Sequence, residues 1–454
     1  MALPPMALVL ALVLLVLLVD AAATANTSPH PPTGTKCCNG LLDPARCSGN
    51  GTGMGGMCFV GEGCGCAGPG WVPASWRAEA AVADRLIGSA DEPGPAIANG
   101  YVGAWTPKGM PGSAGPAYVG REFVMGVMKG ESLLPHSGDS SAGPYRTVSL
   151  APLASWTATA HVAAMDGSPV RPSASALDLR RGAYEVVTPS PRSGGGGRSN
   201  ATRSHCIGRT YAHRSLQHLL ITEFQCMNHD PHQPLSVTLK QRECPEGIAQ
   251  SAFTPFAPLC PKTNASLSHG SEMGYVRVAV PSALPGVSCS RSTMGANEHP
   301  SLPPAVVAEC HTSVPRTGLQ KLIPAAEMRT FSLISTRFSN MDLGVTVHSN
   351  GSTTLQQRDY DPVALARAAW SSANASRTEL FPRHIDAMAT LNTPGIEIAG
   401  NVTLARLINS SMYSLLGNYR TGSPYGMAPE GLISTRYNGY TFCEFKFLPD
   451  LCLF

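Results

Sequence analysis

The sequence predicts a multidomain protein built around a large antiparallel β-sandwich. Apolar residues alternate with other residues in short runs such as Val276 to Val280 and Leu343 to Val347. A period of two is the signal of a strand with one buried face. Such runs recur between residues 80 and 350, separated by Gly, Pro and Ser, without a long amphipathic helix. Two antiparallel sheets packed face to face would bury these strands.

The composition predicts a globular chain without nucleic-acid-binding character. Its 454 residues are 43% hydrophobic, and 33 Lys and Arg against 30 Asp and Glu give a net charge of +3. No dense block of Lys or Arg occurs, so nucleic acid is not an expected partner. The glycines at 194–197 are not followed by the Lys-Ser/Thr of a phosphate-binding loop, and no cofactor is expected.

The N-terminus has the pattern of a cleaved leader. An apolar run extends from Met6 to Val19, and Ala23-Thr24-Ala25 places small residues at a cleavage site. The run is short for a membrane span. We therefore predict a signal peptide over residues 1–25 and no stable membrane span after its removal. A signal anchor is the alternative.

Eight N-x-S/T sequons support entry into the secretory pathway. The candidate glycosylation sites are Asn26, Asn50, Asn200, Asn264, Asn350, Asn374, Asn401 and Asn409. Together with the 14 cysteines, they predict a disulfide-bonded glycoprotein that is secreted or located in the lumen of the secretory pathway.

Residues 26–75 form a predicted Cys-rich module. It contains Cys37, Cys38, Cys47, Cys58, Cys64 and Cys66. A segment this poor in large apolar side chains cannot build a core and needs covalent links. We predict three disulfides and leave their pairing open. Zinc is the alternative, but the paired C-x-x-C knuckles of zinc modules are missing, and no metal is expected.

Six further cysteines lie in the predicted sandwich, and three more disulfides are expected there with open pairing. They are Cys206, Cys226, Cys244, Cys260, Cys289 and Cys310. The sequence Cys226-x-x-His229-x-x-His232 could suggest a metal site. We interpret it as a Pro-containing turn that follows a disulfide cysteine.

Two helices are predicted after the sandwich. The first follows Asp361 and begins at Pro362, a residue that favours the first helical turn. The second runs from about Val402 to Gly417, with Asn401 as its N-cap. Its apolar residues repeat at helical spacing, at Leu404, Leu407, Ile408, Met412, Leu415 and Leu416.

The stretch from Ser423 to Phe454 contains the candidate sugar-binding residues. Gly and Asn residues predict tight turns before the cluster Phe442, Cys443 and Glu444. Aromatic faces stack on sugar rings, and a carboxylate accepts hydrogen bonds from hydroxyls. A surface loop followed by a core helix is the alternative.

Five short motifs resemble segments of glycoside hydrolase family 65 and occur in the same order as in that family. They lie at residues 95–103, 176–185, 211–218, 395–400 and 431–444. The resemblance implies the β-sandwich of that family over residues 78–350 and a helical linker over 355–392. It also implies the beginning of the family's (α/α)6 catalytic barrel over residues 393–454.

For function, the resemblance implies removal of α-linked glucose by an inverting mechanism with two carboxyl groups. The implied substrates are the glucosyl-galactosyl unit on hydroxylysine of collagen-type proteins, or trehalose. The family's acid and base are expected beyond residue 454, so we expect this chain, as a truncated member, to lack hydrolysis on its own.

The resemblance assigns terminal glucose binding to Phe442, Cys443 and Glu444. Three positions of this motif differ from the family, which has His at Tyr440, Trp at Cys443 and Asp at Glu444. Loss of the Trp removes stacking area, and Glu extends its carboxylate by one methylene. A secreted, non-catalytic protein that binds carbohydrate or a partner is the alternative function.

Overall fold

The computed structural model describes a set of separate segments of the chain. They are residues 73–82, 84–88, 95–106, 122–125, 127–130, 145–147, 158–162, 174–190, 204–241, 275–282, 284–294, 305–315, 317–342, 344–347, 353–356, 361–391, 398, 400–418 and 432. The predicted signal peptide and the six cysteines of the predicted Cys-rich module lie outside these residues.

The helices within these segments are α1 (Ala74–Ala81), α2 (Pro362–Ala375), α3 (Leu380–Leu391) and α4 (Val402–Asn418). A 3-10 turn, Arg377–Glu379, separates α2 from α3. Within the described segments, none of the helices combines the length and the apolar character that crossing a membrane requires.

The strands of the described segments follow in chain order. They are β1 (Arg85–Gly88), β2 (Ala96–Ala98), β3 (Val102–Trp105), β4 (Glu122–Val124), β5 (Met128–Gly130), β6 (Tyr145–Thr147), β7 (Ala158–Val162), β8 (Ala174–Asp178), β9 (Ala183–Pro189), β10 (His205–Ala212), β11 (Leu219–Met227), β12 (Leu235–Gln241), β13 (Tyr275–Val280), β14 (Val287–Met294), β15 (Val306–Thr312), β16 (Leu319–Ile323), β17 (Met328–Ser339), β18 (Gly344–Val347) and β19 (Thr353–Gln356). The two runs with a period of two form β13 and β18, which confirms them as strands.

A nine-stranded antiparallel sheet dominates the fold, in the order β1-β8-β9-β10-β11-β17-β15-β14-β13. Two three-stranded sheets, β2-β3-β4 and β16-β12-β7, pack against one of its faces. Leu220 of β11 and Val307 of β15 belong to the core with the first small sheet. Phe224 and Leu333 belong to the core with the second. The prediction of a large antiparallel β structure is confirmed.

Helices cover the opposite face of the large sheet. Neighbouring residues of a strand point to opposite faces, and Ile221 and Ala308 accordingly pack with α2 and the start of α3. Trp76 of α1 packs over β8 and β9 farther along the same face. The large sheet is therefore the middle layer, between helices and small sheets.

Both predicted helix starts are confirmed by their caps. The Asp361 carboxylate accepts a hydrogen bond from the Val363 N–H at 2.9 Å, and Pro362 occupies the first turn of α2. The Asn401 side-chain oxygen accepts from the Leu404 N–H at 3.0 Å. Such caps satisfy N–H groups that have no partner inside the helix. The (α/α)6 barrel predicted from residue 393 remains a prediction.

Two disulfides join cysteines that lie directly opposite on neighbouring strands. Cys206 of β10 bonds to Cys226 of β11, with Cα atoms 4.0 Å apart. Cys289 of β14 bonds to Cys310 of β15, with Cα atoms 4.2 Å apart. They are consistent with a secreted or lumenal protein. The remaining sandwich cysteines, Cys244 and Cys260, lie outside the described residues.

A fully buried ion triplet fastens the small sheet β2-β3-β4 to the large sheet. Nε of Arg337 on β17 donates to Glu122 of β4 at 2.7 Å. The same Nε lies 3.5 Å from Oε1 of Glu309 on β15. All three side chains are 0% exposed. Charges removed from water in this way stabilise a fold only while each keeps its partners.

Replacement of Glu122 by Gln should therefore destabilise the protein by about 3 kcal/mol or more, because Arg337 loses its closest counter-charge in the interior. Urea denaturation at neutral pH measures this. The matched control is Glu327→Gln, which breaks an exposed pair with Arg329 and should cost less than about 1 kcal/mol. Equal costs for the two variants would contradict this account of the triplet.

Candidate functional site

The predicted glucose-binding residues Phe442, Cys443 and Glu444 lie outside the described residues, but the start of their motif is described. The N–H of Leu432 donates to Oδ1 of Asn418 at 2.6 Å. Asn418 is the last residue of α4, and Leu432 is partly buried against the core between the large sheet and β2-β3-β4. This bond attaches Leu432 to the end of α4.

The C-terminal end of α4 is held by two turns of the β-structure. The Gly100 N–H, between β2 and β3, donates to the Gly417 carbonyl at 2.6 Å. The Arg214 guanidinium, between β10 and β11, donates to the Leu416 carbonyl. The last carbonyls of a helix have no partner inside it, and a cation there also opposes the negative end of the helix dipole. We call Asn99, Gly100, His213, Arg214, His384 and residues 416–418 the junction.

Asn99 connects the two turns of the junction. Its side-chain NH₂ donates to the carbonyls of His213 and Gln217, both at 2.9 Å. Its side-chain oxygen accepts from the N–H groups of Tyr101 and Val102, both at 2.9 Å. These bonds use the hydrogen-bonding capacity of a fully buried amide. Gly100, with φ 84°, follows in a conformation that favours glycine.

His384 joins α3 to two turns of the large sheet. Its Nδ1 accepts from the Arg214 N–H at 3.1 Å, and its Nε2 lies 2.7 Å from the Arg181 carbonyl. Because a backbone N–H can only donate and a carbonyl can only accept, the imidazole is neutral with its proton on Nε2. Burial and then the neighbouring His213 lower the pKa of His384 to about 3.

His213 is a second neutral imidazole, 5.6 Å from His384 between ring centroids. Its Nδ1 accepts from the Leu216 N–H at 3.1 Å. Its Nε2 is buried and makes no hydrogen bond that meets the usual distance and angle limits with any of the described residues. Burial lowers the pKa of His213 to about 4, with the Leu380 carbonyl acting in the opposite direction. The junction therefore depends on two uncharged histidines.

A polar belt lies beside the junction, beneath the helices. It consists of Glu79, Arg85, Asp178, Glu185, Arg209 and Glu223. Arg85 bonds to Glu79 at 2.5 Å and Asp178 at 2.7 Å, and also to Glu185. Arg209 bonds to Glu185 at 2.6 Å and lies 3.8 Å from Glu223. Arg85 on β1 and Arg209 on β10 thus serve the carboxylates of β8, β9 and β11, so each of these buried carboxylates has an arginine beside it.

The belt carboxylates differ in their proton affinity. Burial raises the pKa of Asp178 and of Glu223 despite the neighbouring arginines. Burial also acts to raise the pKa of Glu185, but Arg209 and Arg85 together hold it below its ordinary value. All three carboxylates are almost fully buried. They hold the sheet together and cannot meet a sugar.

The described residues contain no group of three or more His, Cys, Asp or Glu side chains that could hold a metal ion. Cys226, part of the spacing that could suggest a metal site, is bonded to Cys206. Asp230, beside His229 and His232, accepts backbone bonds from His232 and Gln233 at 2.8 and 3.0 Å. The interpretation of this stretch as a turn is confirmed.

Sequence reasoning recognised the segments of the junction but not its contacts. The motifs at residues 95–103 and 211–218 contain Asn99 and the turn of His213 and Arg214, but no partner was predicted for either segment. His384 and the polar belt were missed. A single acidic residue inside a largely apolar strand, as in Glu185 and Glu223, is the signal that could have indicated the belt.

The two neutral histidines should make the protein less stable as the pH falls. The unfolded chain takes up protons near pH 6.5, whereas the native pKa values are about 4 and about 3. The unfolded state therefore binds more protons below pH 6.5, and each histidine should cost about 2 kcal/mol at pH 5. Urea denaturation at pH 7 and pH 5 measures this loss.

His384→Gln should lower stability at pH 7 but reduce the further loss between pH 7 and pH 5. His229→Gln, at an exposed histidine, is the matched control for the substitution itself and should change stability at pH 7 by less than about 0.5 kcal/mol. An unaltered pH dependence in His384→Gln would contradict the neutral state inferred from its hydrogen bonds.

Comparison with known proteins gives one informative relative. A protein-glucosylgalactosylhydroxylysine glucosidase of Dictyostelium discoideum is 36% identical over 77 residues, which are 16% of this chain and 11% of that protein. No family model matches the chain.

Among solved structures, a protein described as a kojibiose phosphorylase from the human microbiome aligns with a TM-score of 0.48 and 11% identity. That alignment covers 79% of this chain and 42% of the other. A score at this level carries no argument about function. The sequence relative agrees with the resemblance found in the motifs, and the chain has a partial and distant relationship to glycoside hydrolase family 65.

Proposed function

We propose that the protein recognises the terminal glucose of an α-linked glucosyl disaccharide, such as the glucosyl-galactosyl unit on hydroxylysine. The observation that carries the proposal is the 36% identity over 77 residues with a glucosidase named for that unit. Trehalose is the second candidate ligand, taken from the motif resemblance. The protein would meet such a glycan outside the cell or in the lumen of the secretory pathway.

In this proposal, Phe442, Cys443 and Glu444 form the glucose-binding site. The Phe442 ring would stack on the apolar face of the sugar, and the Glu444 carboxylate would accept hydrogen bonds from its hydroxyls. Cys443 offers less stacking area than the Trp of the family pattern. Glu444 can still accept two hydroxyl bonds, although its carboxylate lies one methylene farther from the backbone than that of Asp.

The junction supports the proposal because it holds the start of the same segment. Leu432 is bound to Asn418, and α4 is bound at Leu416 and Gly417 to the turns of the β-structure. A binding site works only if its side chains are held by a rigid support. In this proposal, the large sheet, rather than α4 alone, would provide that support.

We assign glucose recognition, and not hydrolysis, to these residues. An inverting glycosidase needs one carboxyl group to protonate the leaving oxygen and a second to activate water. Asp178, Glu185 and Glu223 are buried and paired with arginines, so they are unsuited to either role. The proposal is therefore glucoside binding, with neither carboxyl role of a hydrolase placed on these three residues.

Isothermal titration of the 454-residue protein with glucosyl-galactosyl-hydroxylysine tests the proposal. Galactosyl-hydroxylysine, which lacks the glucose, should bind at least about tenfold more weakly, because it leaves the site's polar groups unpaired. Glu444→Gln should reduce affinity by a similar factor, since charged hydrogen bonds are the stronger ones. Glu430→Gln, in the same segment but outside the cluster, should leave affinity unchanged.

The alternative outcomes are distinct. Glucose released by the purified chain would overturn the assignment of binding without hydrolysis. A folded protein that binds neither the glucosylated ligand nor trehalose would overturn glucose recognition and favour a partner-binding protein instead.

The junction gives a second test. Arg214→Met keeps the apolar stem but loses the bond to the Leu416 carbonyl, and loss of a charged hydrogen bond costs about 1.5–3 kcal/mol. Glucoside affinity should fall several-fold because the anchor of the binding segment loosens. Arg180→Met, at a side chain 76% exposed, is the control. Unchanged affinity in Arg214→Met would remove the junction from the proposed function.

A further inference from the structure

We infer that Asn374 and Asn401 carry N-linked glycans and that Asn409 does not. This assignment is independent of the proposed glucose site. The sequence offers eight equivalent sequons, and only these three lie in the described residues. The helices that hold them separate the three by exposure and by local backbone geometry.

Asn374 lies at the exposed end of α2. It is the penultimate residue of the helix, and its sequon ends at Ser376, which is the C-cap. The Asn374 side chain is exposed. The acceptor segment thus leaves the helix within its own three residues, and an attached sugar would extend into solvent.

Asn401 lies at the start of a helix, where it is the exposed N-cap of α4. The cap uses the side-chain oxygen, which accepts from the Leu404 N–H at 3.0 Å. Glycosylation takes place on the other atom of the amide, Nδ2. A glycan and the helix cap are therefore compatible on the same residue, and Thr403, which completes the sequon, is also exposed.

Asn409 differs from these two residues in its exposure and in its position within the helix. It lies inside α4, two turns from the start, and its side chain is only partly exposed. The helix continues past it to Asn418, so its whole sequon, Asn409 to Ser411, stays helical, whereas the sequon of Asn374 leaves its helix. A glycan attached here before folding would have to fit between α4 and the structure that partly covers this residue.

The chemistry is a group transfer from a lipid-pyrophosphate-linked oligosaccharide, the donor class of the secretory pathway. Nδ2 of the asparagine forms a bond to the anomeric carbon of the donor sugar while the bond from that carbon to the pyrophosphate oxygen breaks. The amide loses one proton, and the lipid pyrophosphate leaves. The remaining N–H and the side-chain oxygen of the asparagine are retained.

Glycopeptide mass spectrometry on the full chain, expressed with its own N-terminus in a secreting eukaryotic cell, tests the inference. Ser376→Ala and Thr403→Ala should each remove one glycan, whereas Ser411→Ala, which abolishes the Asn409 sequon, should remove none. Ser376→Thr and Thr403→Ser keep the sequons and should keep the glycans, so a loss caused by misfolding would be recognised.

The cap and the glycan of Asn401 can be separated. Thr403→Ala and Asn401→Asp both remove the glycan but keep an N-cap, so after enzymatic removal of all remaining glycans their Tm should match that of the unchanged protein treated in the same way. Asn401→Ala removes both and should have a lower Tm. Glycan at Asn409, or its absence from Asn374 or Asn401, including a chain without any glycan, would overturn the inference.

Discussion

The fold depends on the pairing of buried arginines with carboxylates across the large sheet. Arg85, Arg209 and Arg337 are each held by carboxylates from neighbouring strands or from a second sheet. Isolated charges would be costly in this interior. A shift of one strand by one residue would turn its charged side chains to the other face and leave their partners unpaired. The ion pairs therefore fix the register of the five neighbouring strands β1, β8, β9, β10 and β11.

The same register determines where the helices dock. Phe381 of α3 lies over the Arg209 guanidinium at 3.8 Å and packs beside Tyr211. The next residues of β10 lead into the turn that carries Arg214, whose N–H donates to His384 of α3 and whose guanidinium donates to the Leu416 carbonyl of α4. The pairing of the strands thus determines the geometry of the junction, because the turn between β10 and β11 holds the end of α4.

Local patterns were sufficient for the strands and the caps of the helices. Alternation identified β13 and β18, and Asp361-Pro362 and Asn401 identified two helix starts, because these signals act within a few residues. The disulfide pairs could not be predicted, since they depend on which cysteines face each other across β10-β11 and β14-β15. The roles of Asn99 and His384 depend on contacts with residues more than a hundred positions away, and no local pattern contains that information.

The two disulfides have a consequence for biosynthesis. They link cysteines only 20 and 21 residues apart, on strands that are consecutive in the chain. Each bond needs only its own hairpin, so it can be oxidised as soon as that hairpin leaves the ribosome. Cysteines synthesised after a hairpin has closed then meet a disulfide there instead of two free thiols. Short cross-links of this kind protect a chain with 14 cysteines against scrambled pairing while the rest of it is still being made.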